Sequence, residues 1–465
     1  MASTADLDCD VVVIGAGLAG LSAASELEAG GIDVRLVEAR DRVGGRTLNH
    51  SVGDAPEDVV ELGGQWVGPT QHEVLRVARE VGLKTYPTHT DGENILEDDR
   101  GRISRYRGTI PRVNPIVMAD YGQAALRLDR LAKKVSTEAP WTTPKAERLD
   151  SETFATWIRR NLRSRLGRET LVAACRGVFS VEPSEISLLH VLFYIRSAGG
   201  WDPLLDTEGG AQQDRIVGGS QAISIRLAER LGDRVELERP VQDIRHDAEG
   251  VDVDGLRARR VVVAVPPALA GRISYDAPLP AARDQLTQRM PMGAVMKCMA
   301  IYDEPFWRER GLSGLAASLP GPVQVIFDNT PPNGRPGVLL GFLEGADARK
   351  LGAEPPEVRR EVVVANFARL FGDRAKAPVD YAERDWSADP WSRGCYAGVM
   401  PPGAWTQYGR ALRAPIGRIH WAGTETATRW MGYFDGAIQS GARAAREVVA
   451  AERAEAAAAA PVAPP

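Results

Sequence analysis

The unbroken apolar runs fall at the beginning, the middle and the end of the chain. Asp10–Ile14 is a short β-branched run that reads as a strand buried on both faces. It passes directly into Gly15-Ala16-Gly17-Leu18-Ala19-Gly20, after which Leu21–Leu27 carries helical spacing. Asp33–Val37, closed by Glu38, predicts a second strand and completes a β-α-β unit. Arg260–Val265, stopped by Pro266-Pro267, and Gly417–Gly423 predict two further buried strands, with a helix over Gly432–Ala450 after the last. Residues 85–205 are dominated by helical periodicity, including Ala124–Val135 and Thr153–Arg165. Residues 286–390 instead mix turns with strand-like runs such as Val323–Phe327 and Val338–Leu343. The expected fold class is α/β with an α+β second domain. A discontinuous Rossmann-type domain would come from 1–85, 210–285 and 391–450, with a domain of insertions from 86–209 and 286–390 and an Ala/Pro-rich tail over 451–465.

Composition narrows the function classes. The 465 residues are 44% hydrophobic and 26% charged, which suits a folded protein of more than one domain. A net charge of -5 supplies no positive field for nucleic acid. The four cysteines, Cys9, Cys175, Cys298 and Cys395, form no CxxC pair. The six histidines show no HxH or HExxH spacing, so no metal site is expected. No GxSxG elbow occurs. The N-terminus lacks a basic region before its apolar run, and no stretch approaches the roughly 20 apolar residues of a spanning helix. A cytoplasmic protein with no membrane anchor is expected.

The glycine loop carries the first chemistry. Gly15, Gly17 and Gly20 permit a tight turn, close approach of a pyrophosphate to the backbone, and packing of helix on strand, with the helix N-terminus offering donors to phosphate. Glu38, 23 positions after Gly15, is placed to accept from a ribose 2′-hydroxyl, which favours FAD or NAD over NADP. A glycine-rich turn that binds nothing is the plainer alternative. Arg40, Gly44-Gly45 and Arg46 add backbone approach and positive charge, and Glu61–Pro69 adds a second glycine-bearing loop, which points to the longer cofactor.

This order of motifs resembles the flavin-containing amine oxidase superfamily. The likeness sharpens toward the monoamine oxidases at Ser392-Arg393-Gly394-Cys395-Tyr396, Thr406–Arg410, Ala422–Ala427, Trp430–Tyr433, Phe306–Arg308 and Gly293–Cys298. The resemblance spans essentially the whole chain. It implies a glutathione-reductase-like FAD domain and a substrate domain over the flavin ring. It also implies that Gly15, Gly17, Gly20, Glu38, Arg40, Gly45 and Arg46 contact adenosine and pyrophosphate. Gly64, Gln65 and Trp66 then approach the isoalloxazine, Val241 touches the adenine end through its backbone, and Thr424 and Glu425 face the ribityl and diphosphate portion. Trp386 and Phe434 join the same cofactor set.

Cys395 matches the cysteine that forms a thioether to the flavin, which implies covalent FAD; the alternative is a small buried hydrophobe. Tyr396 and Tyr433 match the two rings that admit the amine in front of the flavin, the alternative being plain core. Lys297 is one of only seven lysines and lies in an apolar run. It matches the family lysine that holds a water near flavin N5, the alternative being a strand lysine reaching back to solvent.

Gly177, Leu204, Leu205, Gln212, Val325 and Phe342 are the expected substrate contacts. The 322–327 segment offers no carboxylate before Asp328, which favours aryl or alkyl monoamines over diamines. The expected reaction is oxidative deamination of a primary amine with O2, giving aldehyde, ammonia and hydrogen peroxide. The alternatives are a putrescine, polyamine or L-amino-acid oxidase of the same superfamily, or a flavin-binding scaffold without turnover. A homodimer is compatible with the resemblance.

Overall fold

β-Branched runs with no polar interruption need cover on both faces, and the strand Cys9–Ile14 receives it at the centre of an eight-stranded sheet. It lies parallel to Val34–Val37 on one side and to Leu256–Val263 on the other, which in turn pairs in parallel with Ile419–Trp421. The helix Leu18–Ala29 packs against the long helix Phe434–Ala459. The computed structural model describes residues 7–108 and 114–459, in two compact units. The first comprises Met1–Gly45, Ile223–Gln288 and Arg410–Pro465, and contains this sheet. The second comprises Arg46–Ala222 and Arg289–Gly409. Residues 46–85, 210–222 and 391–409, expected with the nucleotide-binding segments, thus fall in the second unit.

A seven-stranded sheet organises the second unit, with Val295–Tyr302 between Asp380–Asp385 and Gly337–Glu344, and Val325–Asp328 following. Alternation divides its side chains between two cores. Met296, Cys298, Ala300, Ile326, Leu339 and Leu343 pack on one face. Val295, Met299, Leu340 and Phe342 pack on the other with Trp386 and Cys395. Helices occupy most of 115–205, but 85–106, expected with them, instead carries three short strands, Thr85–Pro87, Glu93–Glu97 and Ile103–Tyr106. The Thr153–Arg165 run is split, however, because Leu162 leaves helical geometry and the Ser164 hydroxyl caps a new helix, Arg165–Phe179.

One expectation is corrected at the C-terminus: 451–459 is helix rather than tail. Its acidic residues anchor it, since the buried Arg260 pairs with Glu452 at 2.6 Å and also with Glu455, and Arg418 pairs with Glu455 at 3.2 Å. The rest of the expected tail lies outside the described residues. Among the described residues no helix is long and apolar enough to cross a membrane.

The glycine turn gives a sharp test of steric fit. Gly15 sits at φ +100, and a Cβ on Gly20 would lie 1.9 Å from the Gly15 carbonyl oxygen, whereas a Cβ on Gly17 would meet nothing within 4 Å. Gly20→Ala is expected to destabilise the fold by roughly 3 kcal/mol, and Gly17→Ala by no more than about 0.5 kcal/mol. Thermal unfolding of the two variants beside the wild type checks this; equal midpoints would contradict it.

Candidate active site

In the first unit the helix Leu18–Ala29 begins at Gly17 with no side-chain cap, although Leu18, Ala19 and Gly20 are buried. Buried N–H groups at an uncapped helix start are donors that need an acceptor. Together with the space over Gly17, they fit a diphosphate. Glu38 braces the turn: its carboxylate accepts from the Ala16 N–H at 2.8 Å and from the Arg40 N–H at 3.0 Å. Gly45 approaches the turn closely, because a Cβ there would lie 3.3 Å from the Gly17 Cα. Val241 packs against the core of the same sheet. Thr424 and Glu425 are buried in a short 3-10 turn. The Thr424 hydroxyl accepts from the Gly432 N–H at 2.8 Å and donates to the Tyr433 carbonyl at 2.9 Å, which fixes the backbone that presents Tyr433 just before Phe434 begins the last helix. The Trp430 and Tyr433 rings meet edge to face at 4.9 Å.

The second unit gathers the remaining chemistry on one face of its sheet. Lys297 lies directly opposite Phe342, and Phe342 directly opposite Val325, so the three form a row across adjacent strands. The lysine does not reach solvent. It is buried, and Nζ donates to the Gly63 carbonyl at 2.8 Å and to Gln65 Oε1. The Trp66 and Phe342 ring centres each stand 5.7 Å from Nζ. Burial lowers its pKa to about 7, with the Glu61 carboxylate working in the opposite direction.

Gln65 is itself held, donating to Asn329 Oδ1 at 2.7 Å. The buried Arg215 donates to the Asn329 carbonyl at 3.0 Å and pairs with the buried Glu61 at 2.6 Å. Burial works against this guanidinium's charge, but Glu61 outweighs it and the pKa is raised. A continuous polar chain therefore runs from Glu61 to Lys297 through an apolar surround.

Cys395 and Tyr396 join the same apolar cluster as Phe342, Trp66 and Trp386. Arg46 donates to the Tyr396 carbonyl at 2.9 Å, and Trp386 Nε1 donates to the Leu62 carbonyl at 2.9 Å beside Gly63 and Gly64. Phe342 meets Tyr396 at 6.2 Å and 78°, and Trp66 meets Phe327 at 4.6 Å. Tyr433 belongs to the first unit and Tyr396 to the second. Gly177 lies in the helix Arg165–Phe179, where a Cβ would be 3.9 Å from Val325 and 3.9 Å from Glu344. Leu204 and Leu205 lie in a short helix that packs on the Gly177 helix. Gln212 donates to the Leu204 carbonyl at 3.2 Å, a bracing contact within the chain.

Sequence pattern does not single out Glu344, Phe327, Asn329 or the Glu61–Arg215 pair. Glu344 was detectable in principle: it follows the apolar run Val338–Leu343 two residues after Phe342, and so shares its face. The 322–327 segment carries no carboxylate, as expected, but the neighbouring strand, left out of the inference against diamines, ends in one. Asp328 is fully engaged by Trp307, Arg308 and the Thr330 N–H, but the neighbouring strand supplies Glu344. Among the described residues no group of His, Cys, Asp and Glu is arranged to hold a metal ion.

A uncapped glycine turn braced by an acid, and a separate wall of aromatic rings around a buried lysine, are the two halves expected of a flavoenzyme that oxidises amines. The family model for flavin-containing amine oxidoreductases matches residues 18–449. AofH of Mycobacterium tuberculosis, a flavin-containing monoamine oxidase by its name, is 44% identical over 445 residues, covering 95% of this chain and 96% of its own. Putrescine oxidase bound to putrescine superposes with a TM-score of 0.91 at 35% identity, over 95% of this chain and 99% of that one. Cyclohexylamine oxidase from Brevibacterium oxydans gives 0.91 at 34% identity, over 96% of this chain and 100% of that one. The chain belongs to the flavin-containing amine oxidoreductase family, and it is a flavin-dependent amine oxidase.

The depressed Lys297 pKa has a consequence for stability. Between about 7 in the folded protein and 10.5 in the unfolded chain, the unfolded state binds a proton that the folded state does not. Stability from this group is therefore fully present above pH 10.5 and is lost as pH falls toward 7, at a slope of at most about 1.4 kcal/mol per pH unit. Urea midpoints measured at several pH values across this range should rise more steeply with pH for the wild type than for Lys297→Met. Parallel profiles would contradict the burial of a neutral amine.

Proposed function

We propose that the protein oxidises primary aryl- or alkylamines to aldehyde, ammonia and hydrogen peroxide, with FAD attached through Cys395. The observation that carries this reading is the buried Lys297 amine, held by Gly63 and Gln65 with the Trp66 and Phe342 rings each 5.7 Å away, those rings sharing an apolar cluster with Cys395 and Tyr396. Bound FAD would supply the redox chemistry, taking two electrons from the amine α-carbon and passing them to O2.

The chain's own residues bind, orient and exclude water. The Gly15–Gly20 turn and the N–H groups that follow it hold the diphosphate, with Glu38, Arg40, Gly45, Arg46 and Val241 at the adenosine end. Thr424, Glu425 and Phe434 hold the ribityl portion, while Gly64, Gln65, Trp66 and Trp386 back the ring. Tyr396 and Tyr433 orient the amine, and the apolar side chains favour its neutral form, the one with the lone pair that drives C–H cleavage. Two of the Lys297 nitrogen's positions are taken by Gly63 and Gln65, and the third is free to hold a water. Gly177, Leu204, Leu205, Val325 and Phe342 shape the substrate space, with Gln212 bracing Leu204.

Oxidation of diamines is a second reading, and one observation favours it: the buried carboxylate of Glu344 beside Tyr396.

Anaerobic addition of benzylamine, phenethylamine, tyramine and putrescine in turn should bleach the yellow protein, with peroxide released on readmitting air. Acid precipitation should leave the colour in the pellet for the wild type and in the supernatant for Cys395→Ala. Colour wholly in the wild-type supernatant would refute the covalent link, and a flavin that no amine bleaches would refute the reaction.

A further inference from the structure

The strand Gly337–Glu344 is buried along its whole length, and its last residue is a carboxylate. Glu344 Oε1 accepts a 2.9 Å hydrogen bond from the Tyr396 hydroxyl. Its other oxygen, Oε2, is buried and has no hydrogen-bond partner among the described residues. Burial raises the pKa of this carboxyl to about 7, against the pull of the Tyr396 hydrogen bond and of the Arg176 charge. Arg176 cannot serve as a direct partner, because its guanidinium is already spread over Glu182 and Asp347.

What faces Oε2 is space kept by a glycine. Gly177 lies inside the helix Arg165–Phe179, where glycine is less favourable than alanine. Neither conformation nor packing demands it there: φ is not positive, and the closest atoms to a Cβ would be Glu344 Oε2 and Val325 Cγ2, each at 3.9 Å. The glycine therefore leaves a notch the size of a methyl group beside an unpaired carboxylate oxygen and one apolar side chain. Along its strand, Glu344 lies two residues beyond Phe342, which is opposite Lys297. The notch is thus about 6.6 Å along the strand from the lysine row, the reach of a small amine.

We propose that Glu344 is a specificity-determining residue that reads a hydrogen-bond donor at the end of the substrate remote from the reacting amine, with Gly177 keeping the approach open. The proposal rests on the amine-oxidase reading above and names the substrate class within it: primary amines carrying a distal hydroxyl or a second ammonium. A buried acceptor left unpaired by a plain alkyl or aryl amine is costly, whereas a donor-bearing amine satisfies it.

Two matched pairs test this on the FAD-loaded protein: tyramine against phenethylamine, which differ by one hydroxyl, and 1,4-diaminobutane against butylamine, which differ by one ammonium. In the wild type the donor-bearing member of at least one pair should have the higher kcat/KM by about tenfold or more, and the pair that shows it identifies the donor. Glu344→Leu should bring that ratio close to one. Glu344→Gln, which keeps the volume and can still accept from Tyr396, should lower it most for the ammonium pair. If Glu344 served only to steady Tyr396, both members of a pair would lose equally and the ratio would stay at its wild-type value. That outcome, or a wild type with no preference in either pair, overturns the assignment.

Gly177→Ala guards against a folding defect at Glu344. It should raise the thermal midpoint by about one to three degrees while reducing the donor ratio; a lowered midpoint or an unchanged ratio counts against the notch. If no amine reduces the flavin, the oxidase reading falls and this proposal with it. If amines reduce it and Glu344→Leu keeps the wild-type ratios, only the role of Glu344 falls.

Discussion

The second unit depends on a buried ion pair. Glu61 and Arg215 lie 2.6 Å apart with side chains essentially inaccessible to water. Removing either would leave an uncompensated charge in an apolar interior, a loss of about 3–5 kcal/mol. Arg215 reaches on to the Asn329 carbonyl, and the Asn329 side chain accepts from Gln65, which accepts from Lys297. Four segments distant in sequence are thereby tied by polar contacts that apolar packing alone would not orient. A lysine amine at the end of such a chain has few places to go. The geometry that makes it poor at holding a proton is the same geometry that fixes its position.

Around this chain, strand alternation sorts the side chains. Residues 295, 297 and 299 share a face with 340, 342 and 344 and with 325 and 327, so one face of a single sheet collects the lysine, the aromatic wall and the lone carboxylate. A one-residue slip in any of these strands would exchange this face for the opposite one. The core on the opposite face, with Trp307, Phe367 and Phe371, therefore helps to hold the register on which the site depends.

The first β-α-β unit and the central strands were legible in sequence because their strands are short, mostly apolar runs ending at glycine, proline or an acid, and the final helix because it follows the last of them. The glycine turn was legible because glycines at fixed offsets have few other uses, and Lys297 and Cys395 stood out because their surroundings resemble a known family. Glu344 was not singled out, since a glutamate at the end of a strand ordinarily marks a turn into solvent; here it is buried, with the Tyr396 hydroxyl and the helix carrying Gly177 beside it. The Glu61–Arg215 pair spans 154 residues of sequence, and no local pattern connects its members. The helix end at 451–459 looked like a low-complexity tail because its anchoring partners, Arg260 and Arg418, lie far away in the chain.

The central proposal is that the polar chain holds Lys297, matched by resemblance to the family lysine near flavin N5, where it would assist the return of electrons to oxygen. Rapid mixing of the amine-reduced protein with O2 tests it directly, comparing the wild type with Lys297→Met. The account predicts that reoxidation slows by at least about tenfold, while reduction by the amine under anaerobic conditions changes far less. Reoxidation at the wild-type rate, or an equal loss in both half-reactions, would contradict it.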